Sequence, residues 1–153
     1  MKHPQLARRI AESLTLQGYE QVLEVGPGKG VLTRFLLQLP LRVVAVEADR
    51  DLVAYLHTHL PELPPERLIQ GDFLKVDLEA LLQGQPFALV GNFPYNISSQ
   101  ILIRMLEHRR SIPELVGMFQ REVAQRVIAP PGSKTYGVLS VLVQAFYEGE
   151  YLF

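Results

Sequence analysis

Four short stretches of this chain combine residue types that could do chemistry, and each follows an apolar run. The first is Glu24-Val25-Gly26-Pro27-Gly28-Lys29-Gly30, after Val22–Val25. Gly26 and Gly28 can take positive φ and let the backbone approach a ligand closely. The second is Glu47 in Val46-Glu47-Ala48-Asp49, a carboxylate able to accept two neighbouring hydroxyls in a bidentate manner, as a ribose presents them. The third is Asp72 in Gly71-Asp72-Phe73, which can accept from an exocyclic amine with Phe73 near the ring. The fourth is Asn92-Phe93-Pro94-Tyr95, after Phe87–Val90.

The glycine turn fails two common patterns. A dinucleotide fingerprint requires a third glycine where Val31 stands, and a phosphate loop requires Ser or Thr after Lys29, where Gly30 stands. Glu24, two residues before the first glycine, disfavours an anionic pyrophosphate and suits a cation such as a sulfonium with an ammonium. At the fourth stretch, the side-chain oxygen of Asn92 and the backbone carbonyl of Phe93 or Pro94 can accept both hydrogens of an adenine N6. That favours a pyramidal nitrogen whose lone pair can attack a methyl group. Pro94 fixes the turn and brings no N–H to compete. Tyr95 can stack on a base taken out of its helix. Together these residues point to methyl transfer from S-adenosylmethionine to an adenine amine, with the protein supplying orientation and electrostatics.

The surrounding pattern alternates strands and helices. Helices are expected over Pro4–Leu16, Val31–Leu39, Asp49–Leu60, Leu74–Leu82, Gln120–Ile128 and Tyr136–Phe146, and another from Ser98 and Ser99, as its caps, to about Arg110. Strands are expected at Val22–Val25, Arg42–Val46, Arg67–Gln70, Phe87–Val90 and Leu115–Phe119, with a sixth beginning at Glu150–Phe153. Such alternation implies a doubly wound, mostly parallel α/β sheet, in which ligands bind beyond the carboxyl ends of the strands. Gly26, Gly28, Glu47, Asp72 and Asn92 all fall at those ends.

Composition narrows the rest. A chain of 153 residues, 48% apolar, can bury one good core, so one domain over 1–153 is expected. The net charge of −1 gives no global attraction for phosphate, so a nucleic-acid partner needs a local basic face. Arg104, Arg109, Arg110, Arg121 and Arg126 are candidates for it, against the plainer reading of solvated helix arginines. With no cysteine there is neither a disulfide nor a thiolate metal site, which fits a reducing cytoplasm. No apolar stretch is long enough to span a bilayer, and Met1-Lys2-His3-Pro4 opens no signal peptide. His57 and His59 are two apart on a helix, hence on different faces, so no metal is expected.

At these residues the chain resembles the ribosomal RNA adenine N6,N6-dimethyltransferases, the superfamily of the kasugamycin-resistance and erythromycin-resistance methylases. The matching segments are Leu23–Thr33, Val46–Arg50, Gly71-Asp72, Gly91–Ser98, Phe119–Arg126 and Tyr136–Ser140. The resemblance implies a class I, Rossmann-like methyltransferase core using S-adenosylmethionine. It implies cofactor contacts at Gly26, Gly28, Glu47, Asp72 and Asn92, and base contacts and catalysis at Asn92, Pro94 and Tyr95. The implied reaction dimethylates two adjacent adenosines near the 3′ end of small-subunit (16S) rRNA within the 30S subunit, by a cytoplasmic monomer with no metal and no membrane. Phe93 replaces the family's usual leucine. The family's Gln-Asn-Phe-Leu-type segment does not precede the first helix, and the last core strand and helical C-terminal domain are expected beyond Phe153, so weak or absent turnover is expected of residues 1–153 alone. The alternatives are a non-catalytic ribosome-assembly or transcription factor that keeps the fold, and a DNA adenine or protein glutamine methylase, against which Phe93 in the usual proline slot speaks.

Overall fold

The structure, a computed structural model, describes residues 3–153; Met1 and Lys2, where a signal peptide would begin, lie outside them. The described chain forms two compact units, 3–92 with 110–117, and 93–109 with 118–153.

The first unit holds the sheet. Helix α1 (Pro4–Glu12) precedes β1 (Gln21–Val25), followed by α2 (Val31–Leu36), β2 (Arg42–Glu47), α3 (Arg50–His59), β3 (Leu68–Gln70), α4 (Leu78–Leu81) and β4 (Ala88–Asn92). In the second unit come α5 (Ser98–Glu107), α6 (Arg121–Ile128) and α7 (Val138–Gln144), while β5 (Glu114–Met118) returns to the sheet with all but its last residue. The order across the sheet is β3-β2-β1-β4-β5. The pairs β1–β2, β1–β4 and β2–β3 are all parallel. The Phe87 N–H donates to Ser111 O at 2.9 Å and the Phe93 N–H to Met118 O at 3.0 Å, successive bonds that advance in the same direction along β4 and β5. The strand order reverses between β1 and β4, which makes that junction the topological switch point of a doubly wound sheet.

The apolar runs become central strands because both of their faces are covered. Every residue of β1 is buried, as are Val43–Glu47 of β2 and Ala88–Gly91 of β4. Buried Gln21 ties the foot of β1 to the chain before β4. Its Nε2 donates to Leu82 O at 2.7 Å, and its Oε1 accepts from Arg42 at 2.9 Å.

Several elements end earlier than the hydrophobic pattern suggests. Helix α1 stops at Glu12 rather than Leu16 because the Ser13 hydroxyl donates back to Arg9 O at 2.7 Å and Leu16 takes φ +61°. Helix α2 gives way to tight i→i−3 turns at Gln38 and Leu39. Helix α4 begins only at Leu78, where Asp77 caps it by accepting from the Ala80 N–H at 3.1 Å. Ser98 and Ser99 are not caps: Ile97 occupies the cap position of α5, and the Ser98 hydroxyl donates back to Tyr95 O at 3.1 Å. The tight turn in which the Ile97 N–H donates to Pro94 O directs the chain into the helix instead. Helix α7 begins at Val138, not Tyr136. The Gly137 N–H donates to Ser140 Oγ, and that hydroxyl itself donates to Arg126 O at the end of α6. Glu150–Phe153 is not a strand; the described residues there make no ladder, and a strand exists only through its ladder. No helix among the described residues is long and apolar enough to cross a membrane.

Candidate active site

Register fixes where the special residues go. Val25 lies level with Val46 on β2 and with Gly91 on β4, and Glu47 lies level with Gln70 on β3. One step further, Gly26, Glu47 and Asn92 therefore stand level with Gln70, with Gly71 and Asp72 just beyond, at the carboxyl rim of the first unit. The row is stitched by the Gly26 N–H donating to Val46 O and the Gly71 N–H to Glu47 O, each at 2.9 Å. Gly26 and Asn92 leave the two strands that flank the switch point.

The turn after β1 uses its glycines as expected. Gly26, Gly28 and Gly30 take φ of +69°, +59° and +85°. A Cβ at Gly26 or Gly28 would meet no atom within 4 Å, so bare backbone borders open space there, a cradle that suits a ligand. Gly30 differs, because its Cβ would come 3.1 Å from Leu56 of α3 and from Leu60 just after that helix. There the missing side chain serves packing.

Glu47 locks the turn from the neighbouring strand. Its Oε1 accepts from the Gly28 N–H at 3.0 Å and its Oε2 from the Asp49 N–H at 3.0 Å. A carboxylate has about four lone-pair sites, so each oxygen retains a position for a hydroxyl. Asp49 is the cap of α3, its Oδ1 accepting from Asp51 and Leu52 at 2.8 and 3.3 Å. That division of labour leaves Glu47 facing the turn.

Glu24 takes a different role from the one its sequence position suggests. It is 2% exposed, and the Thr33 hydroxyl of α2 donates to its Oε1 at 2.5 Å. Burial pushes its carboxyl up to about 8, the Thr33 hydrogen bond opposing the shift and the Glu47 carboxylate adding to it. At neutral pH Glu24 thus holds a proton and offers no full charge to a cation. The carboxylate against the turn is that of Glu47.

Asp72 is exposed and folds its own loop, with Oδ1 accepting from the Leu74 N–H at 2.9 Å and its carbonyl accepting from Lys75 and Val76. No described hydrogen bond uses its Oδ2. Phe73, expected beside the same ligand, is 3% exposed and belongs to the core. Asn92 is exposed, and no described hydrogen bond uses its side chain.

Phe93, Pro94 and Tyr95 continue the chain into the second unit. Phe93 is buried against Phe119, with ring centroids 4.9 Å apart, while Pro94 and Tyr95 are exposed, Tyr95 to 69%. The Pro94 carbonyl is taken by the Ile97 N–H at 3.2 Å, whereas no described bond uses the Phe93 carbonyl. Of the two carbonyls open on sequence grounds, that of Phe93 is the available acceptor.

Arg109 lies over the Phe146 ring at 4.2 Å and donates to Leu106 O at 3.1 Å, while Arg121 and Arg126 sit five positions apart on α6, on different faces. His59 stacks on Tyr55 at 4.0 Å with Nδ1 2.9 Å from Tyr55 O. Among the described residues no group of three or more His, Asp or Glu is placed to hold a metal ion.

Comparison with known proteins agrees with the fold. The chain is 52% identical over 153 residues to ribosomal RNA small subunit methyltransferase A of Flavobacterium johnsoniae, covering 100% of this chain and 58% of that protein. Among solved structures it resembles a dimethyladenosine transferase from Plasmodium falciparum, with a TM-score of 0.78, 28% identity, and coverage of 94% of this chain and 51% of the other. It also resembles the 23S rRNA methyltransferase ErmE, with a TM-score of 0.72, 32% identity, and coverage of 86% and 52%. The chain thus spans a little over half the length of its curated relative. The profile of the ribosomal RNA adenine dimethylases matches residues 1–153 from end to end, and the chain belongs to that family.

Proposed function

We propose that this chain is the S-adenosylmethionine-binding core of an enzyme that methylates N6 of two adjacent adenosines near the 3′ end of small-subunit rRNA. The observation that carries the reading is the row formed by Gly26, Glu47 and Asn92, with Asp72 two residues past Gln70 of the same row, at the carboxyl rim of a parallel sheet. Family membership and the names of the relatives support the choice of rRNA as substrate.

When bound, S-adenosylmethionine supplies an electrophilic methyl on a sulfonium. In this reading Gly26 and Gly28 admit it to the bare backbone, and Glu47 accepts the ribose hydroxyls on its remaining lone pairs. Asp72 accepts the exocyclic amine of the cofactor's adenine on Oδ2. Asn92 Oδ1 and the Phe93 carbonyl accept the two N6 hydrogens of the target, and the pyramidal nitrogen then carries its lone pair towards the methyl. Pro94 fixes the turn and Tyr95 stacks on the everted base. Each transfer makes an N–C bond and breaks an S–C bond, with one proton leaving the nitrogen. The core acts as a monomer in the cytoplasm on the 30S subunit, without a metal ion.

Two measurements test this. Calorimetric titration of the folded chain with S-adenosylmethionine is expected to give a one-to-one binding isotherm; no heat would favour a non-catalytic factor. Chemical mapping of rRNA from cells with and without the gene is expected to lose methylation at a pair of neighbouring adenosines, and an unchanged map would defeat the assignment.

A further inference from the structure

We propose that two cation-and-ring clusters on the first unit, Arg8 with Phe35, and Arg34 and Lys29 with His59 and Tyr55, dock the phosphate backbone of RNA beside the glycine turn. The proposal takes from the functional reading only that the partner is RNA.

The clusters draw on three helices. The Arg8 guanidinium of α1 lies 5.4 Å from the centre of the Phe35 ring on α2. Next to Phe35 in sequence, Arg34 sends Nη2 to the His59 carbonyl on α3 at 3.3 Å. His59 stacks on Tyr55, with centroids 4.0 Å apart and planes at 12°. Lys29 completes the second cluster, its Nζ 5.6 Å from the centre of the Tyr55 ring. Lys29 stands inside the turn, one residue after Gly28, whose N–H is held by Glu47. This cluster therefore lies at the rim that carries the candidate site.

Arg8, Arg34 and Lys29 are exposed, and no described ion pair neutralises them. Glu12 and Asp51 lie one turn away on α1 and α3 and set the clusters' outer limits. A ring under a long cationic side chain restricts its rotamers before any partner arrives, so less entropy is lost on binding, and the remaining N–H groups stay free for phosphate oxygens. Arginine and lysine side chains held in fixed positions suit the regularly spaced phosphates of RNA, and the vesicle arm of the test below separates RNA from a lipid surface. The clusters also give a chain of net charge −1 the local positive face that a nucleic-acid partner requires.

The test uses a fluorescein-labelled RNA hairpin with two adjacent loop adenosines, titrated with the chain by anisotropy over a range of KCl. Neutralising three phosphate contacts (R8Q, K29Q and R34Q together) is expected to make the slope of log K against log salt shallower by about two. Equivalently, the wild type loses about 16-fold more affinity than the variant between 50 and 200 mM salt. Tyr55→Leu, which keeps every charge, is expected to weaken binding about 2- to 5-fold with the salt slope unchanged. R67Q with K75Q, charge losses outside the clusters, should leave the slope at its wild-type value. Circular dichroism melts confirm that each variant is folded. A wild-type slope in the triple variant, an equal loss in the variant with R67Q and K75Q, no affinity of the wild type for the hairpin, or preference for phosphatidylserine vesicles over RNA each overturns the proposal. Calorimetry with S-adenosylmethionine reads the cofactor assignment separately, so the two can fail independently.

Discussion

Replacing Glu24 with Gln should stabilise the ligand-free chain, and by an amount that depends on pH. The native carboxyl is raised from 4.5 to about 8, mainly by burial. In the unfolded chain it titrates in the ordinary range. Between those values the folded state holds a proton that the unfolded state has released, so stability falls as pH rises through the window. The contribution of Glu24 is intact below about 4.5 and fully lost only above about 8. Each tenfold difference in proton affinity is worth about 1.4 kcal/mol, so at pH 7 the native state carries a penalty of roughly 3 kcal/mol relative to pH 4. Glutamine keeps an oxygen for the Thr33 hydroxyl and cannot ionise. The stability difference between Glu24→Gln and wild type should therefore be small at pH 5 and grow to about 3 kcal/mol at pH 7, or 6 to 12 °C in melting temperature. Urea denaturation followed by circular dichroism at pH 5, 6, 7 and 8 reads the difference directly, and other titrating groups cancel between the two proteins. An offset independent of pH, of either sign, would show that Glu24 binds its proton equally well folded and unfolded, and the reasoning would fail.

Other outcomes follow from the same structure. Asn92→Ala in the enzyme that contains this core should lower kcat at least 100-fold in a labelled-methyl assay while RNA affinity stays within about twofold, because the amide meets the RNA at one amine only. Gly28→Ala should cost about 1 kcal/mol of stability from its positive φ alone, and Gly30→Ala more, since its new methyl also meets Leu56 and Leu60 at 3.1 Å; thermal melts would rank them. Asp49→Ala removes the cap of α3 and should cost about 1 kcal/mol in urea denaturation. Tyr19→Phe deletes a hydroxyl that donates to Glu114 at 2.5 Å and accepts from the Leu16 N–H at 3.0 Å, and should lower stability by about 1 to 2 kcal/mol in the same assay.

The sheet was legible in the sequence because its central strands are buried on both faces, so Val43–Val46 and Ala88–Val90 read as unbroken apolar runs and Val22–Val25 as a run interrupted only by Glu24. Once those runs are strands, parallel pairing places Gly26, Glu47, Asp72 and Asn92 at one rim without further information. What stayed hidden depends on partners distant in sequence or on local hydrogen bonds. The proton on Glu24 is set by its burial together with Thr33 on a helix and Glu47 on the next strand. Phe73 sits beside a plausible ligand residue in sequence, yet the Asp72 turn sends its ring into the core. Ser98 has the composition of a cap, but the Pro94 turn already determines how α5 starts. The Glu150–Phe153 run has strand composition, and composition cannot supply the neighbour that a strand needs. The cation and ring clusters join helices whose contacts no periodicity reveals.

The hydroxyl of Tyr19 and the carboxylate of Glu114 join positions 95 residues apart, and Thr15 donates to the same oxygen. A ribosome delivers the segment around Tyr19 long before Glu114 has left the exit tunnel. The middle strand β1 likewise waits for β4, which it meets through Val22 and Ala88. During synthesis the early α1–β1 segment must stay unlatched, its apolar side chains open to chaperones, until the far edge of the sheet is translated. Slow codons or a stalled ribosome before residue 114 would prolong that exposure, so this molecule's hazard in the cell falls in the interval before the latch closes.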